Sequence, residues 1–114
     1  MVADYDIERA RRTVASVQAR QPGENRFHAV TVDASDENAV AAAIRLTGAT
    51  HVLNAVDPRF VMPIFNGCRA AGANYLDMAM SLSLPHKDAP YDKAGVKLGD
   101  EQFAQASDWE GAGR

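Results

Sequence analysis

Short apolar runs alternate with longer stretches of helical periodicity along most of this chain. The runs are continuous instead of alternating with polar residues, which is typical of strands buried on both faces of a parallel sheet. Strands and helices in strict alternation fold into an open parallel sheet with helices on both faces, joined by right-handed crossovers. The sequence therefore predicts a doubly wound α/β fold. The predicted strands cover residues 2–4, 27–32, 51–56 and 74–80.

Capping residues mark the ends of the predicted helices. Asp6 can accept a free backbone N–H at the start of the first helix, and Ser35 can do the same for the second. Gly48 and Gly72 follow the second and third helices, where a left-handed residue commonly ends a helix. The apolar faces of the three helices are Ile7, Ala10, Val14 and Val17; Val40, Ala43, Ile44 and Thr47; and Ile64, Cys68 and Ala71.

The 114 residues fit a single domain, because one hydrophobic core typically serves about 100 to 150 residues. Strands and helices are predicted over residues 1–80. Residues 81–99 lack periodicity and are expected to form a surface loop, and residues 100–114 are expected to form a terminal helix that Asp100 caps. Trp109 on that helix is expected to anchor to a missing segment or to a partner.

Composition excludes several classes of protein. A net charge of −3 gives no electrostatic footprint for a nucleic-acid backbone. A nucleic-acid partner is therefore not expected. No apolar run approaches the ~20 residues that a membrane helix needs, so a membrane span is not expected either. Cys68 is the only cysteine, which excludes an internal disulfide and suits a reducing compartment. A cytoplasmic protein is the expectation.

Metal and nucleophile chemistry find no motif in the sequence. His28, His51 and His86 share no metal-ligand spacing, and no metal site is expected. The serines after residue 80 lack the nucleophile-elbow pattern, and Cys68 lies among small residues within a helix, where thiols usually serve packing. No catalytic residue is assigned.

Ligands of doubly wound sheets bind beyond the carboxyl ends of the strands, so residues just after each predicted strand are candidates. Asp4 ends the first run. An ionised carboxylate there accepts two hydrogen bonds from the diol of an adenosine ribose and repels a 2′-phosphate, which favours NAD over NADP. The alternative is an acid that caps a helix and binds no ligand.

Later strand ends add further candidates. Asp33 and Ala34 can flank an adenine, although Asp33 is equally suited to cap or solvate a turn. Asn54 and Ala55 can approach the cofactor through a backbone carbonyl and a small side chain; the alternative is a buried asparagine satisfied by backbone. Asp77 has no partner at a diagnostic spacing and is interpreted as structural. The candidate cofactor-binding residues are Asp4, Tyr5, Asp33, Ala34, Asn54, Ala55 and Val56.

Three segments, in order, resemble the saccharopine dehydrogenase family. They are Val2-Ala3-Asp4, then Val52-Leu53-Asn54-Ala55-Val56, and, after a proline-bearing helix, Ala70-Ala71-Gly72-Ala73-Asn74-Tyr75-Leu76-Asp77. The resemblance covers most of residues 1–80. It implies a Rossmann-like NAD(P)-binding domain in which Asp4 binds the adenosine ribose, Asp33 and Ala34 the adenine, and Asn54 and Ala55 the region near the nicotinamide ribose. It also implies hydride transfer on an amino acid or polyamine-type secondary amine.

Two parts of the family pattern are not present in this sequence. The glycine-rich turn that cradles the pyrophosphate is absent, and so is the substrate domain. An incomplete domain is therefore expected, lacking its first strand and later strands, and the chain alone is expected to bind dinucleotide weakly and to be inactive. The exposed sheet edge is expected to favour a homo-oligomer.

Two other functions remain open from the sequence. The acidic residues Asp4, Asp6 and Asp57 resemble the cluster of a phosphoacceptor receiver domain, but such a domain needs a lysine where this chain has Asp77-Met78. A stand-alone nucleotide sensor or assembly module is the non-enzymatic alternative.

Overall fold

The computed structural model describes residues 1–21, 23, 26–78, 83–97 and 99–113. Its strands and helices follow the predicted order, and a 3-10 turn at Pro58–Phe60 precedes the third helix. Among the described residues, no helix is long and apolar enough to cross a bilayer. The elements are β1 (Val2–Asp4), α1 (Ile7–Arg20), β2 (Ala29–Thr31), α2 (Glu37–Thr47), β3 (His51–Asn54), α3 (Val61–Ala71), β4 (Asn74–Asp77), α4 (Asp100–Phe103) and α5 (Ala106–Gly111).

The strands form two parallel pairs instead of one continuous sheet. β1 pairs with β2, with Val2 opposite Ala29, and β3 pairs with β4, with His51 opposite Asn74. Parallel α/β architecture is as predicted, but β1 and β3 form no ladder with each other in the described part of the chain. The strands are also shorter than predicted: β4 ends at Asp77, Met78 is no longer part of the strand, and the last two residues of the expected strand, 79 and 80, lie outside the described residues.

The helices divide between the two pairs of strands. α1 contacts β1 and β2, whereas α2 packs mainly on α3, and α3 contacts β3 and β4. The hydrophobic core lies between α2, α3 and the start of β4, because each of these elements presents an apolar face there. Its buried residues are Val40, Ile44, Ile64, Cys68 and Ala73.

Gly67 allows α2 and α3 to approach closely. A Cβ on this residue would lie 2.8 Å from the carbonyl oxygen of Glu37 and 2.8 Å from Cβ of Val40. Both distances are shorter than van der Waals contact, so only glycine fits the crossing without a shift of backbone. The close approach brings Val40 into the core.

The helix ends agree with the prediction except at α2 and α4. Asp6 caps α1, its Oδ1 accepting from the backbone N–H of Glu8 at 2.9 Å, and Gly48 and Gly72 adopt left-handed φ values of 65° and 71°. The predicted cap Ser35 is wrong: Asp36 caps α2, because the Ser35 hydroxyl donates to Asp33 at 2.6 Å instead.

The predicted cap of the last helix is also wrong. Gly99 precedes α4 with a φ of 84°, and no side chain caps that end. The Asp100 carboxylate instead accepts from the backbone N–H of Lys97 at 2.8 Å, which stabilises the turn before the helix. The described part of the expected loop is otherwise held by an antiparallel bridge between Leu84 and Val96.

Two short helices replace the single terminal helix expected over residues 100–114. The turn between them lets α5 lie against α3, where the Trp109 ring packs on Phe65 with centroids 4.8 Å apart. Arg69 and Asp108 form an ion pair at 2.8 Å across the same contact. The expectation that Trp109 anchors to a missing segment or a partner is therefore wrong, since its contact is within the chain.

Candidate functional site

A cavity of about 550 Å³ lies between the two strand pairs. β1 and β3 line it, together with residues of α2 and α3, and the segments that follow β1, β2 and β3 open onto it. Its volume is within the range typical of small-molecule sites, about 300 to 1,000 Å³. All seven residues proposed from the sequence line this one cavity: Asp4, Tyr5, Asp33, Ala34, Asn54, Ala55 and Val56.

Asp4, the last residue of β1, is positioned by one of its two carboxylate oxygens. Oδ1 accepts from the backbone N–H of Asp6 at 2.8 Å and lies 3.5 Å from Nη1 of Arg9. Asp6, not Asp4, caps α1, so Asp4 is not the helix-capping acid that the sequence left open. Among the described residues Oδ2 has no partner, which leaves it able to accept a hydrogen bond from a ligand in the cavity.

Asp33 shapes the turn between β2 and α2. Its Oδ1 accepts from the Ser35 hydroxyl at 2.6 Å and from the Ser35 backbone N–H at 2.9 Å. These two hydrogen bonds lower the pKa of Asp33 below its ordinary value, the hydroxyl contributing most. Asp33 therefore stabilises this turn, which is the alternative role that the sequence left open for it. Ala34 beside it is partly buried and packs on the core, so a flat ring in the cavity would contact a small side chain.

Asn54 is buried, with 2% of its surface exposed, and its side chain is satisfied within the chain. Nδ2 donates to the Tyr75 hydroxyl at 2.9 Å, and Oδ1 accepts from the backbone N–H of Val56 at 3.1 Å. The Asn54 carbonyl accepts from the backbone N–H of Met78 at 3.0 Å. Asn54 is therefore the buried, hydrogen-bonded asparagine that the sequence left open as an alternative. The sequence did not indicate that Tyr75 would be one of its partners.

Tyr75 connects the ends of β3 and β4. Besides accepting from Asn54, its hydroxyl donates to Oδ2 of Asp77 at 2.6 Å, and its ring stands edge-on to Phe65 at 5.3 Å. Burial raises the pKa of Tyr75 above its ordinary value; the hydrogen bond from Asn54 opposes this rise and the one to Asp77 adds to it. The contact between Tyr75 and Asp77 could have been expected from the sequence, because residues two apart on a strand lie on the same face of the sheet.

Arg9 is the second residue that the sequence reasoning missed. It lies in the first turn of α1 and lines the cavity beside Asp4. Among the described lining residues it is the only arginine or lysine. The sequence could have indicated this position of Arg9. Asp6 caps α1, so Arg9 is the third residue of the helix, and helical side chains tilt toward the helix N-terminus, which here follows β1.

The other reactive groups lie apart from this arrangement. Burial raises the pKa of the Cys68 thiol to about 12, so it stays protonated within the core. Asp57 accepts from the backbone N–H of Arg59 and pairs with its guanidinium, whereas Asp4 and Asp6 face Arg9. In the described ranges no three His, Cys, Asp or Glu side chains form a group suited to a metal ion.

The cavity fits the adenosine half of a dinucleotide better than its phosphates. Asp4 offers a carboxylate oxygen for a ribose diol, and apolar or small residues such as Ala34 and Ala55 offer a surface for a ring. A pyrophosphate needs clustered backbone N–H groups, usually from a glycine-rich turn at a helix start. No glycine is among the residues described as lining the cavity.

Comparison with known protein families identifies the family of this chain. A search of curated protein sequences returned no significant match to this chain. The family model described as saccharopine dehydrogenase NADP binding domain matches residues 1–114, the whole sequence. That family of domains is Rossmann-like, in agreement with the parallel α/β structure, and it supports a nicotinamide cofactor. The chain belongs to the saccharopine dehydrogenase NADP-binding domain family.

Proposed function

We propose that this chain forms the adenosine-binding part of the cofactor domain of a saccharopine dehydrogenase-like oxidoreductase. The observation that carries the proposal is the convergence of residues after β1, β2 and β3 on one cavity. Bound dinucleotide would supply the hydride. The chain's own residues position it: Asp4 accepts from the ribose diol, and Ala34 and Ala55 contact the rings.

The substrate in this proposal is an amino acid or a polyamine-type secondary amine, bound by a domain that these residues do not form. The proposed location is cytoplasmic, where the single buried thiol of Cys68 stays reduced. Asp4 favours NAD over NADP, because its carboxylate binds a free 2′-hydroxyl and repels a phosphate at the same position.

The incompleteness of the domain is also part of the proposal. β1 and β3 face the cavity without a strand between them in the described chain. Leu53 and Leu76 lie opposite each other in the β3–β4 register with 61% and 50% of their surfaces exposed. A strand between β1 and β3, followed by a glycine-rich turn and a helix over the two leucines, would pair both edges, cover this surface and supply N–H groups for the pyrophosphate.

The radius of gyration also supports the proposal that the domain is incomplete. It is 16.7 Å, whereas a compact domain near this length has about 13 Å. We therefore expect the 114-residue chain alone to bind NADH weakly and to have no dehydrogenase activity, because the pyrophosphate lacks its N–H cradle.

Nuclear magnetic resonance tests the proposed site. Titrating the isotope-labelled chain with 5′-AMP should shift the backbone signals of Tyr5, Ala34 and Ala55 together, with saturation only at millimolar concentrations. The Asp4→Asn variant should weaken this binding, and Asp92→Asn, a change of the same kind in the loop after β4, should leave it unchanged. Shifts confined to other surfaces, or tight saturable binding of NADH, would contradict the proposal.

A second candidate is an assembly module. The specific observation in its favour is the pair of exposed leucines beside a strand edge that is unpaired within the described residues, a combination that promotes pairing with another chain. A homo-oligomer formed in this way would not need a bound nucleotide, so the nucleotide titration separates the two candidates.

A further inference from the structure

We propose that Trp109 is a positioning residue for the cavity: while α5 is docked on α3, its ring holds the cavity wall at Asn54 and Val56 in place. Trp109 is not among the residues described as lining the cavity, so it acts on the wall through other side chains. The effect on nucleotide affinity rests on the proposed function, whereas the effect on the wall does not.

Three aromatic rings connect α5 to the strands. The Phe65 ring lies between the other two, with its centroid 4.8 Å from that of Trp109 and 5.3 Å from that of Tyr75. Phe65 is buried, and both of its partners pack against the hydrophobic core. Because packed interiors leave little free volume, a ring that moves at one end of this row displaces its neighbours.

Hydrogen bonds continue the connection from Tyr75 to the cavity. The Tyr75 hydroxyl accepts from Nδ2 of Asn54 at 2.9 Å, and Oδ1 of Asn54 accepts from the backbone N–H of Val56 at 3.1 Å. Asn54 and Val56 both line the cavity. A buried amide that is bonded at both ends has one favourable orientation, so a shift of the Tyr75 hydroxyl is passed on to the backbone of Val56.

The contact of α5 with α3 is weak enough to open on its own. Nε1 of Trp109 and Oε1 of Gln105, the residue before α5, are buried without a hydrogen-bond partner among the described residues. Docking removes such groups from water and gives them nothing in return. The ion pair of Arg69 with Asp108 adds little, because its side chains are 39% and 59% exposed. A helix of six residues is also unstable alone, so docked and open forms of α5 exchange.

The two forms differ in the wall that they offer to a ligand. In the docked form the row of rings fixes Tyr75, and Asn54 then fixes the backbone of Val56. In the open form this support is lost. A nucleotide that contacts Ala55 and Val56 therefore binds the docked form more tightly, and its affinity follows the population of that form.

Amide resonances of the 114-residue chain test the connection. Trp109→Ala removes the ring that holds α5, and Gln105→Leu removes a buried acceptor and should strengthen docking. Phe103→Ala is the matched control, since it deletes a ring of the same terminal segment that is 69% exposed. Unchanged resonances of α1 show that each variant is folded.

We expect the Val56 amide signal to move in opposite directions in Trp109→Ala and Gln105→Leu. The two positions should lie on one line through that of the unchanged chain, because both variants shift the same equilibrium. Phe103→Ala should leave the signal in place. The affinity for 5′-AMP should fall about threefold in Trp109→Ala, because this variant populates the docked form less.

A Val56 signal that stays in place in Trp109→Ala, or that moves equally in Phe103→Ala, would overturn the inference. So would an unchanged 5′-AMP affinity in a Trp109→Ala variant whose Val56 signal has moved. Should Trp109→Ala fail to fold, Asp108→Asn takes its place, since it weakens the ion pair with Arg69 and opens α5 in the same direction. If 5′-AMP binds to none of the proteins while the Val56 signal moves as expected, the proposed function fails and the role of Trp109 at the wall stands.

Discussion

Asn54 shows how one residue can serve the fold at the position where the sequence predicts a ligand contact. Its place at the end of a strand is correctly predicted, but that strand is not buried on both faces as expected, since Leu53 is 61% exposed. The two hydrogen bonds of the Asn54 side chain go to Tyr75 and to the backbone of Val56. The Tyr75 contact joins residues 21 positions apart, and such a pairing depends on strand register instead of local pattern. The contact of Asp4 with the Asp6 backbone spans two residues and follows from local chemistry.

Replacing Tyr75 by phenylalanine should destabilise the protein by about 1 to 3 kcal/mol, because Nδ2 of the buried Asn54 loses its acceptor. Urea denaturation followed by circular dichroism measures the change. Tyr91→Phe is the matched control, since Tyr91 is almost fully exposed and should give no change. Equal stability of the two variants would contradict a structural role for the Asn54–Tyr75–Asp77 network.

The Cys68 thiol should resist modification in the folded protein. Its pKa is raised to about 12 by burial, and an unfolded cysteine titrates near 8.5. The folded state holds the proton more tightly, so stability is unaffected below about pH 8 and falls as pH rises from there toward 12. Labelling by a thiol reagent at pH 8 should be slow in buffer and fast in urea. Rapid labelling of the folded chain would show that the thiol is accessible.

At the scale of elements, periodicity and capping predicted the order of the first seven strands and helices correctly. These signals are local: Asp6 and Gly48 act on the helix turn next to them. The predictions that were wrong had two causes. Neighbouring side chains competed for the same hydrogen bond, or a contact joined residues far apart in the sequence. Ser35 lost the cap of α2 to Asp36 because Asp33 binds its hydroxyl. The break between α4 and α5 lets Trp109 contact Phe65, a partner that periodicity does not reveal.

Gly67→Ala tests the contact between α2 and α3. Alanine is the better helix former by about 1 kcal/mol, so an exposed helix would gain stability from the change. Here the added methyl would lie 2.8 Å from Glu37 O and from Val40 Cβ, and we expect a net loss of about 1 to 3 kcal/mol. Thermal unfolding measures it, with Gly111→Ala, which meets open space, as the control. A more stable Gly67→Ala variant would show that the helices can separate without cost.

For the whole molecule, the sequence predicts the class of fold but not the division into two strand pairs. Continuous apolar runs such as His51–Asn54 indicate parallel strands, yet they do not specify which strands are neighbours. Neighbours are set by pairing across the chain, and the described chain leaves the edges of β1 and β3 unpaired with each other. The seven candidate residues could be predicted because each lies at a strand end or shortly after one. That they share a cavity could be seen only in the structure.

The uncovered leucines should make the chain self-associate. Sedimentation velocity at increasing concentration should show dimers or larger species, and Leu53→Glu should shift the distribution toward monomer. Leu46→Glu on α2 is the control, because Leu46 is exposed outside the β3–β4 surface and should change little. A monomer at all concentrations in the unchanged chain would contradict this prediction.

The uneven placement of the core has a consequence for local unfolding. Its buried cluster belongs to α2, α3 and the residue before β4, whereas Ala10 is the buried hydrophobic residue described in the unit β1–α1–β2. That unit carries Asp4 and Arg9, so the adenosine-facing part should open more easily than the rest. Hydrogen exchange should therefore be faster for amides of α1 than for those of α3. A nucleotide that contacts both Asp4 and Ala55 would connect the β1–α1–β2 unit to the residues after β3. Its binding should therefore slow exchange in α1 the most.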